Sequence, residues 1–172
     1  MKIRTGFVSN SSSSSFYIKT PEKHLRLEEI ADYYKINPDL PEDERTWLTM
    51  CIWHILRNQE KYEERKKTDP EDVDEYEKSY SGSDFLSSYL ADDNIEWMQG
   101  NDYYKKDPEY WEKAKKLRDS SVPILSFELA SDDGGDFNDY DVKIPWEVRY
   151  DIRSPADNAF LDPSVAIGIS EL

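Results

Sequence analysis

The sequence predicts a single α+β domain spanning residues 1–172, in which strands at the two ends of the chain flank a helical middle. Apolar and polar residues alternate after Ser120, which is the period of a half-buried strand, and two short apolar runs near the amino terminus read as strands. Between residues 21 and 120 apolar residues recur every three or four positions, as in helices. Twelve Tyr, six Phe and five Trp supply enough large side chains for a core. The terminal strands would pair in a mainly antiparallel or mixed sheet, with the helices packed on one face.

Residues 1–20 are predicted to form two short strands, 2–8 and 16–19, joined by a serine-rich loop. The loop consists of Ser9, Asn10, Ser11, Ser12, Ser13, Ser14 and Ser15. Serine hydroxyls compete for nearby backbone groups, so they favour loops. This loop could be a solvated connector, a partner contact, a modified or regulatory segment, or an anion site assisted by Lys2, Arg4 and Lys19. It lacks the Gly-Lys-Ser/Thr of a P-loop, which argues against a nucleoside triphosphate site.

The amino-terminal segment MKIRTGFVSNSSSSSF resembles a signature shared by a scattered set of small bacteriophage and bacterial proteins, mostly of unknown function. It makes up 16 of the 172 residues. The resemblance implies that residues 2–16 act as one structural, regulatory or modified unit, and that the protein comes from a bacteriophage. It assigns no catalytic residue and implies nothing about residues 20–172.

A proline or a capping residue marks the start of each predicted helix in residues 21–120. Thr20-Pro21 opens the first helix, and Asp39-Leu40-Pro41-Glu42 opens the second with a pattern like a capping box. Asp69-Pro70 and Asp107-Pro108 repeat the signal, and a shorter helix is predicted to begin at Ser83. The second helix is the clearest, at about 25 residues. Its apolar face consists of Trp47, Leu48, Cys51, Ile52, Ile55 and Leu56.

Residues 121–172 are predicted to contain strands at 125–129, 146–153 and 165–169, with an acidic loop between the first two. The loop contains Asp132, Asp133, Asp136, Asn138, Asp139 and Asp141. Such oxygen donors suit Ca²⁺ or Mg²⁺, and Gly134-Gly135 permits a tight turn. The ligand spacing of an EF-hand is absent. An acidic solvated hairpin and a weak divalent-metal site are therefore the two interpretations.

The negative charge of the chain restricts the classes of molecule that it is expected to bind. Thirty-seven acids against 22 bases give a net charge of −15. Such a protein repels phosphate and anionic lipid, so we expect it to bind neither nucleic acid nor membrane directly. The densest basic stretches, Arg65-Lys66-Lys67 and residues 113–118, lie near predicted helix carboxyl ends, where cations complement the helix dipole.

The remaining sequence signals favour a cytoplasmic protein. No apolar stretch approaches the roughly 18–20 residues that span a bilayer, and the amino terminus lacks the apolar core of a signal peptide. Cys51 is the only cysteine, so it forms no internal disulfide. Cys51 and His54 form a C-x-x-H pair, which is too few ligands for structural zinc. Because Cys51 lies on an apolar helix face, it is predicted to be an unreactive core thiol.

These observations favour an acidic interaction protein over an enzyme. We expect it to bind and modulate or inhibit a host protein. That protein could be a nucleic-acid-binding protein whose DNA site this chain occupies by imitating the charge of DNA. The proposed partner-binding acids are Glu42, Asp43, Glu44, Glu60, Glu63, Glu64, Glu71, Asp72, Asp74 and Glu75, with Asp69 and Glu77 beside them. The alternatives are a virion or assembly component and a divalent-metal-dependent enzyme that uses the acidic loop. The sequence does not give the oligomeric state.

Overall fold

The computed structural model of the protein describes residues 13–69, 71, 83–104, 107–130 and 158–170. Its elements, in chain order, are β1 (Ser13–Lys19), α1 (Leu27–Tyr33), α2 (Glu42–Thr68), α3 (Ser83–Tyr89), α4 (Asp92–Gln99), α5 (Pro108–Arg118), β2 (Ile124–Ala130) and β3 (Ala166–Ser170). The predicted α+β class is confirmed. The strands predicted at 2–8 and 146–153, and the helix predicted after Asp69-Pro70, lie outside the described residues.

The amino-terminal strand β1 is the centre of a three-stranded antiparallel sheet of order β2-β1-β3. Pairing of the amino-terminal strand with carboxyl-terminal strands is therefore confirmed. β1 begins at Ser13 and not at Phe16, because Ser14 and Ser15 pair with residues of both neighbouring strands. Sheet pairing on two sides overrides the preference of serine for turns.

Helices cover both faces of this sheet, so the prediction that they pack on one face is wrong. Successive side chains of a strand point to opposite faces. Phe16 packs edge-on against Trp47 of α2 with ring centroids 6.0 Å apart, whereas Tyr17 stacks on Phe85 of α3 at 4.8 Å. The physical reason is the continuous apolar run Phe16-Tyr17-Ile18, which is typical of strands that are buried on both faces.

Each face has its own core. The first core joins Phe16, Ile18, Leu125 and Phe127 of the sheet to α1 and α2, which contribute Ile30, Trp47, Leu48, Cys51, Ile52, Ile55 and Leu56. The second core joins Tyr17, Ile124 and Ile167 to α3, α4 and α5, which contribute Leu86, Ile95, Met98, Trp111, Ala114 and Leu117. The six apolar residues predicted for the second helix are all buried, as expected.

The helix α2 is 27 residues long, close to the predicted length. Its first turn is acidic and its last turn is basic, which complements the helix dipole at both ends. Its N-cap is Pro41, which has no side-chain cap, so the predicted capping box with Asp39 is wrong. The backbone N–H of Asp39 instead donates to Asn37 Oδ1 at 2.9 Å, in a local turn before the helix.

The helix α1 begins at Leu27, and the predicted start at Thr20-Pro21 is wrong. Thr20 extends the strand pairing: its backbone N–H and its Oγ1 both donate to the carbonyl oxygen of Pro123, at 3.0 and 2.6 Å. The first turn is instead held by Glu29, whose carboxylate accepts hydrogen bonds from the Arg26 guanidinium at 3.2 and 3.3 Å. Glu29 Oε2 accepts the backbone N–H of Arg26 at 3.1 Å.

The helices α3 and α5 begin where the sequence predicts, and α4 was not predicted. Asp107 caps α5 by accepting the backbone N–H of Glu109 at 3.0 Å, with Pro108 as the first helical residue. α4 has only two buried residues, Ile95 and Met98. Two apolar positions do not establish a helical periodicity, so the sequence does not distinguish this helix from a loop. Among the helices in the described ranges, none combines the length and apolar composition needed to cross a bilayer.

Candidate functional site

The predicted serine loop is in part a strand. Ser13, Ser14 and Ser15 belong to β1, and Ser15 is buried. Because Ser14 and Ser15 have paired strands on both sides, their backbone N–H groups are directed to the sheet rather than to an anion. Ser9, Asn10, Ser11 and Ser12 lie outside the described residues, and so do Lys2 and Arg4.

The acidic loop with its predicted metal ligands also lies outside the described residues. This applies to Asp132, Asp133, Asp136, Asn138, Asp139 and Asp141. Within the ranges that the structure describes, no three His, Cys, Asp or Glu side chains are grouped closely enough to hold a metal ion. The Ca²⁺ or Mg²⁺ site stays a prediction.

The predicted partner-binding acids do not share one environment. Glu42, Asp43, Glu64, Asp69 and Glu71 are exposed, whereas Glu60 and Glu63 are half-buried. Glu44 is only 7% exposed, so it cannot belong to an open acidic face. Asp72, Asp74, Glu75 and Glu77 lie outside the described residues.

The charge along α2 is balanced. Six acids and six Lys or Arg residues occupy Glu42–Thr68, so the helix has no net charge. Glu60 Oε1 lies 3.1 Å from Arg57 Nη2 and 3.0 Å from His24 Nδ1, which neutralises part of its field. Imitation of DNA needs a dense excess of negative charge. The described length of α2 lacks that excess.

The two residues of the C-x-x-H pair lie in different environments, since Cys51 is buried and His54 is half-buried. Cys51 is buried in the first core, and burial raises the pKa of its thiol, so the nucleophilic thiolate is not formed at neutral pH. The prediction of a core thiol is confirmed. The His54 ring instead packs edge-on against Trp53, with centroids 5.0 Å apart.

The two basic stretches lie in the last turns of α2 and α5, as predicted. Arg118 at the end of α5 is mostly buried and donates from Nη1 to the carbonyl oxygen of Leu90 at 2.6 Å and to Asp92 Oδ1 at 2.8 Å. Its Nε donates to Asp119 Oδ1 at 2.8 Å. These bonds hold the pKa of both carboxyls below the usual range. Arg118 therefore ties α5 to the junction of α3 and α4, and it is not part of a basic binding patch.

An exposed aromatic surface follows from the way α4 docks. Ile95 and Met98 anchor α4 in the second core. At about 100° per residue, Trp97 lies well away from the buried Ile95, and its side chain is 61% exposed.

The turn after α4 brings Tyr104 against Trp97 and leaves its sequence neighbour Tyr103 in solvent. Asn101 Oδ1 accepts the backbone N–H of Tyr103 at 3.0 Å, and the carbonyl oxygen of Asn101 accepts that of Tyr104 at 3.2 Å. Tyr103 is 85% exposed as a result. The Tyr104 ring packs against the second core and meets Trp97 at 61°, with centroids 5.8 Å apart. We call Trp97, Tyr103 and Tyr104 the aromatic patch.

The surroundings of the aromatic patch are acidic. Asp93 is one helical turn before Trp97 and therefore on the same face of α4. Glu96 is adjacent in sequence, and both carboxylates are exposed. Residues 92–109 contain six acids and two lysines, a net charge of −4. The patch thus combines apolar area with a negative field.

An open cleft of about 480 Å³ lies between the start of α5 and the segment before β3. Its walls include Asn37, Tyr110, Lys113, Phe160 and Leu161. Lys113 Nζ lies 3.4 Å from Glu109 Oε1, so its charge is already paired. Asn37 is also engaged, because its Nδ2 donates to the carbonyl oxygen of Asn158 at 3.0 Å. The cleft presents no set of converging groups suited to one reaction.

No protein-family model matches this sequence, and comparisons with curated proteins and with solved structures found no match. Function is therefore inferred from the residues themselves. The aromatic patch was missed at the level of sequence, although one signal was present: Trp97 lies outside the Ile95 and Met98 stripe of its own helix.

Proposed function

We propose that the protein acts by binding another protein, and that the aromatic patch is its docking surface. The supporting observation is the exposure of Trp97 and Tyr103, at 61% and 85%, beside the ring of Tyr104. Neighbouring exposed apolar side chains that form a contiguous patch are typical of interaction sites. Trp and Tyr are also the residues that most often dominate the binding energy of protein interfaces.

The patch supports binding better than the acids of α2 do. The charges of α2 cancel over Glu42–Thr68, and Glu60 is held by Arg57 and His24. Residues 92–109 have a net sequence charge of −4; Arg118 pairs with Asp92 and Lys113 with Glu109, whereas Asp93 and Glu96 form no ion pair with any described residue. We therefore assign affinity to the aromatic rings and assign the whole-chain charge of −15 to steering of a basic partner.

The class of partner follows from the amino-terminal resemblance. If that segment marks a bacteriophage protein, then the partner is a bacterial host protein, and binding takes place in the host cytoplasm. The effect on that partner would be modulation or inhibition, because the described residues offer no catalytic group set.

A capture experiment from bacterial lysate tests this function. The wild-type chain, the double variant W97A/Y103A and the control variant L161A are immobilised and washed with rising salt. Leu161 is 57% exposed, so it matches Trp97 in exposure while lying outside the patch. We expect a partner that survives high salt on the wild type and on L161A and that is lost on W97A/Y103A.

Capture that does not depend on the patch would overturn the proposal. A partner captured equally by all three chains would show that the patch is not the docking surface. If that partner also elutes at moderate salt, then binding is electrostatic and the charge-imitation version is favoured.

Assembly with copies of itself is the second candidate function, because the same exposed rings could bury one another. Sedimentation velocity over a hundredfold range of concentration separates the two. A dimer or larger assembly that W97A/Y103A abolishes and L161A preserves would favour an assembly component over a binder of a host protein.

A further inference from the structure

A cation covers the ring of the half-buried Trp53 on α2, whereas no described cation covers the exposed Trp97 on α4. The guanidinium carbon of Arg57 lies 5.6 Å from the centroid of the Trp53 ring, and Lys66 Nζ lies 5.9 Å from that of Tyr62. Both are cation–π distances. Among the residues that the structure describes, no cation lies over Trp97, although its side chain is 61% exposed.

Carboxylates beside Trp97 could pair with a cation on that ring. Asp92 is already held by Arg118 at 2.8 Å. By contrast, Asp93 and Glu96 are exposed and form no ion pair with any described residue. Asp93 shares the helix face of Trp97 because it is four residues earlier. A positive group on the ring would therefore have Asp93 on its own helix face and Glu96 on the adjacent residue.

We propose that the aromatic patch recognises an arginine of the partner protein, with the guanidinium on the Trp97 ring and paired with Asp93 or Glu96. This inference rests on the proposed function and adds the chemistry of the partner. Arginine fits better than lysine because its planar group stacks on an aromatic face while donating two parallel hydrogen bonds to a carboxylate. A nucleic acid is a poor occupant, since its phosphates would meet the net charge of −4 in residues 92–109.

A peptide titration read at the indole N–H tests this directly. The full chain is labelled with ¹⁵N at its five tryptophans, Trp47, Trp53, Trp97, Trp111 and Trp146, and W97F assigns the Trp97 signal by its loss. Two seven-residue Gly/Ser peptides are compared, one with two central arginines and one with two citrullines. Citrulline keeps the shape of arginine and removes its charge.

We expect the arginine peptide to shift the Trp97 signal and to bind roughly fivefold tighter than the citrulline peptide, from one exposed cation–π contact and one exposed ion pair. In D93N/E96Q the advantage of the arginine peptide should fall to roughly twofold, which is the share of the cation–π contact, while the citrulline peptide binds as before. Equal shifts with both peptides, or an advantage that D93N/E96Q leaves intact, would overturn the inference.

The two proposals fail in different ways. If the lysate partner is lost on W97A/Y103A but bound fully by D93N/E96Q, and the arginine peptide gives no shift, then the arginine site is wrong and docking through the patch stands. If the arginine peptide behaves as expected but W97A/Y103A captures the lysate partner as well as the wild type does, then that partner does not dock through the patch.

Discussion

The two faces of the sheet use the same three strands but are covered in different ways. One face is covered chiefly by the 27-residue helix α2. The other is covered by three short helices of 7, 8 and 11 residues. The long helix buries Trp47 and balances its own charges, whereas the short helices bury Trp111 but leave Trp97 exposed on α4 and Tyr103 exposed in the turn after it. Both layers build a core, but only the layer of short helices leaves large aromatic side chains exposed among the described residues.

Replacement of the buried tryptophan should have the largest effect on stability. Trp47 is 6% exposed and meets Phe16 at 6.0 Å. We expect Trp47→Ala to lower the free energy of unfolding by about 3–5 kcal/mol, because it leaves a cavity between α2 and the sheet. Chemical denaturation followed by circular dichroism measures it. A loss below about 1 kcal/mol would mean that this face packs loosely.

The second prediction asks whether the two faces unfold together. Leu86 is fully buried in the second core, and β1 contributes residues to both cores. Leu86→Ala should lower the free energy of unfolding by about 2–5 kcal/mol. Every probe should report one cooperative unfolding transition, with its midpoint at a lower denaturant concentration than in the wild type. Two separated transitions, with only one displaced by Leu86→Ala, would show that the faces are independent units.

The third prediction concerns the link between the short helices. Arg118→Met removes the donor to the buried carbonyl of Leu90, which should cost about 1–3 kcal/mol at neutral pH. Lys116→Met, on the same last turn but exposed, is the matched control and should change little.

The stability lost in Arg118→Met should depend on pH and should be smaller in acid. Because the pKa of Asp92 and Asp119 is depressed from about 3.8 in the folded state, their contribution is present above that value and is lost as pH falls through the lower folded pKa. The stability gap between wild type and Arg118→Met should therefore narrow below pH 4. A gap that is constant or widens with acid would show that the carboxylates contribute nothing.

The smallest effect on stability is expected at the exposed tryptophan. Trp97→Ala removes one ring contact with Tyr104 and little buried area, so the free energy of unfolding should change by less than about 1 kcal/mol. The contrast with Trp47→Ala sharpens the comparison of the two faces, because the same substitution would be structural on one and functional on the other. A loss as large as that of Trp47→Ala would assign Trp97 to the core.

The sequence predicted those elements whose signals are local. α2 was identified because six apolar residues recur at helical spacing, and α5 because Asp107-Pro108 caps and starts it. The start of α1 was misplaced because Thr20 is held by Pro123, which is 103 residues away. Helices on both faces were implied by Phe16-Tyr17-Ile18, but alternation elsewhere suggested a single covered face.

The candidate site was beyond sequence reasoning for a related reason. Whether Trp97 is buried depends on how α4 rotates about its axis when Ile95 and Met98 dock, and two anchor residues in an eight-residue helix do not specify this in advance. In the same way, Tyr103 and Tyr104 are adjacent in sequence but differ in exposure, because the Asn101 turn directs only one of them toward the second core.

Because β1 lies at the centre of the sheet, the sheet cannot be completed until both of its partner strands have been synthesised. β1 is made first, but its partners β2 and β3 begin only at Ile124 and Ala166. At roughly 5–20 residues per second, a ribosome needs on the order of ten to thirty seconds to pass from β1 to β3. Throughout that interval the apolar run Phe16-Tyr17-Ile18 has at least one unpaired edge. This is the period in which a chaperone, or the same strand of a neighbouring nascent chain, would compete with β3 for that edge.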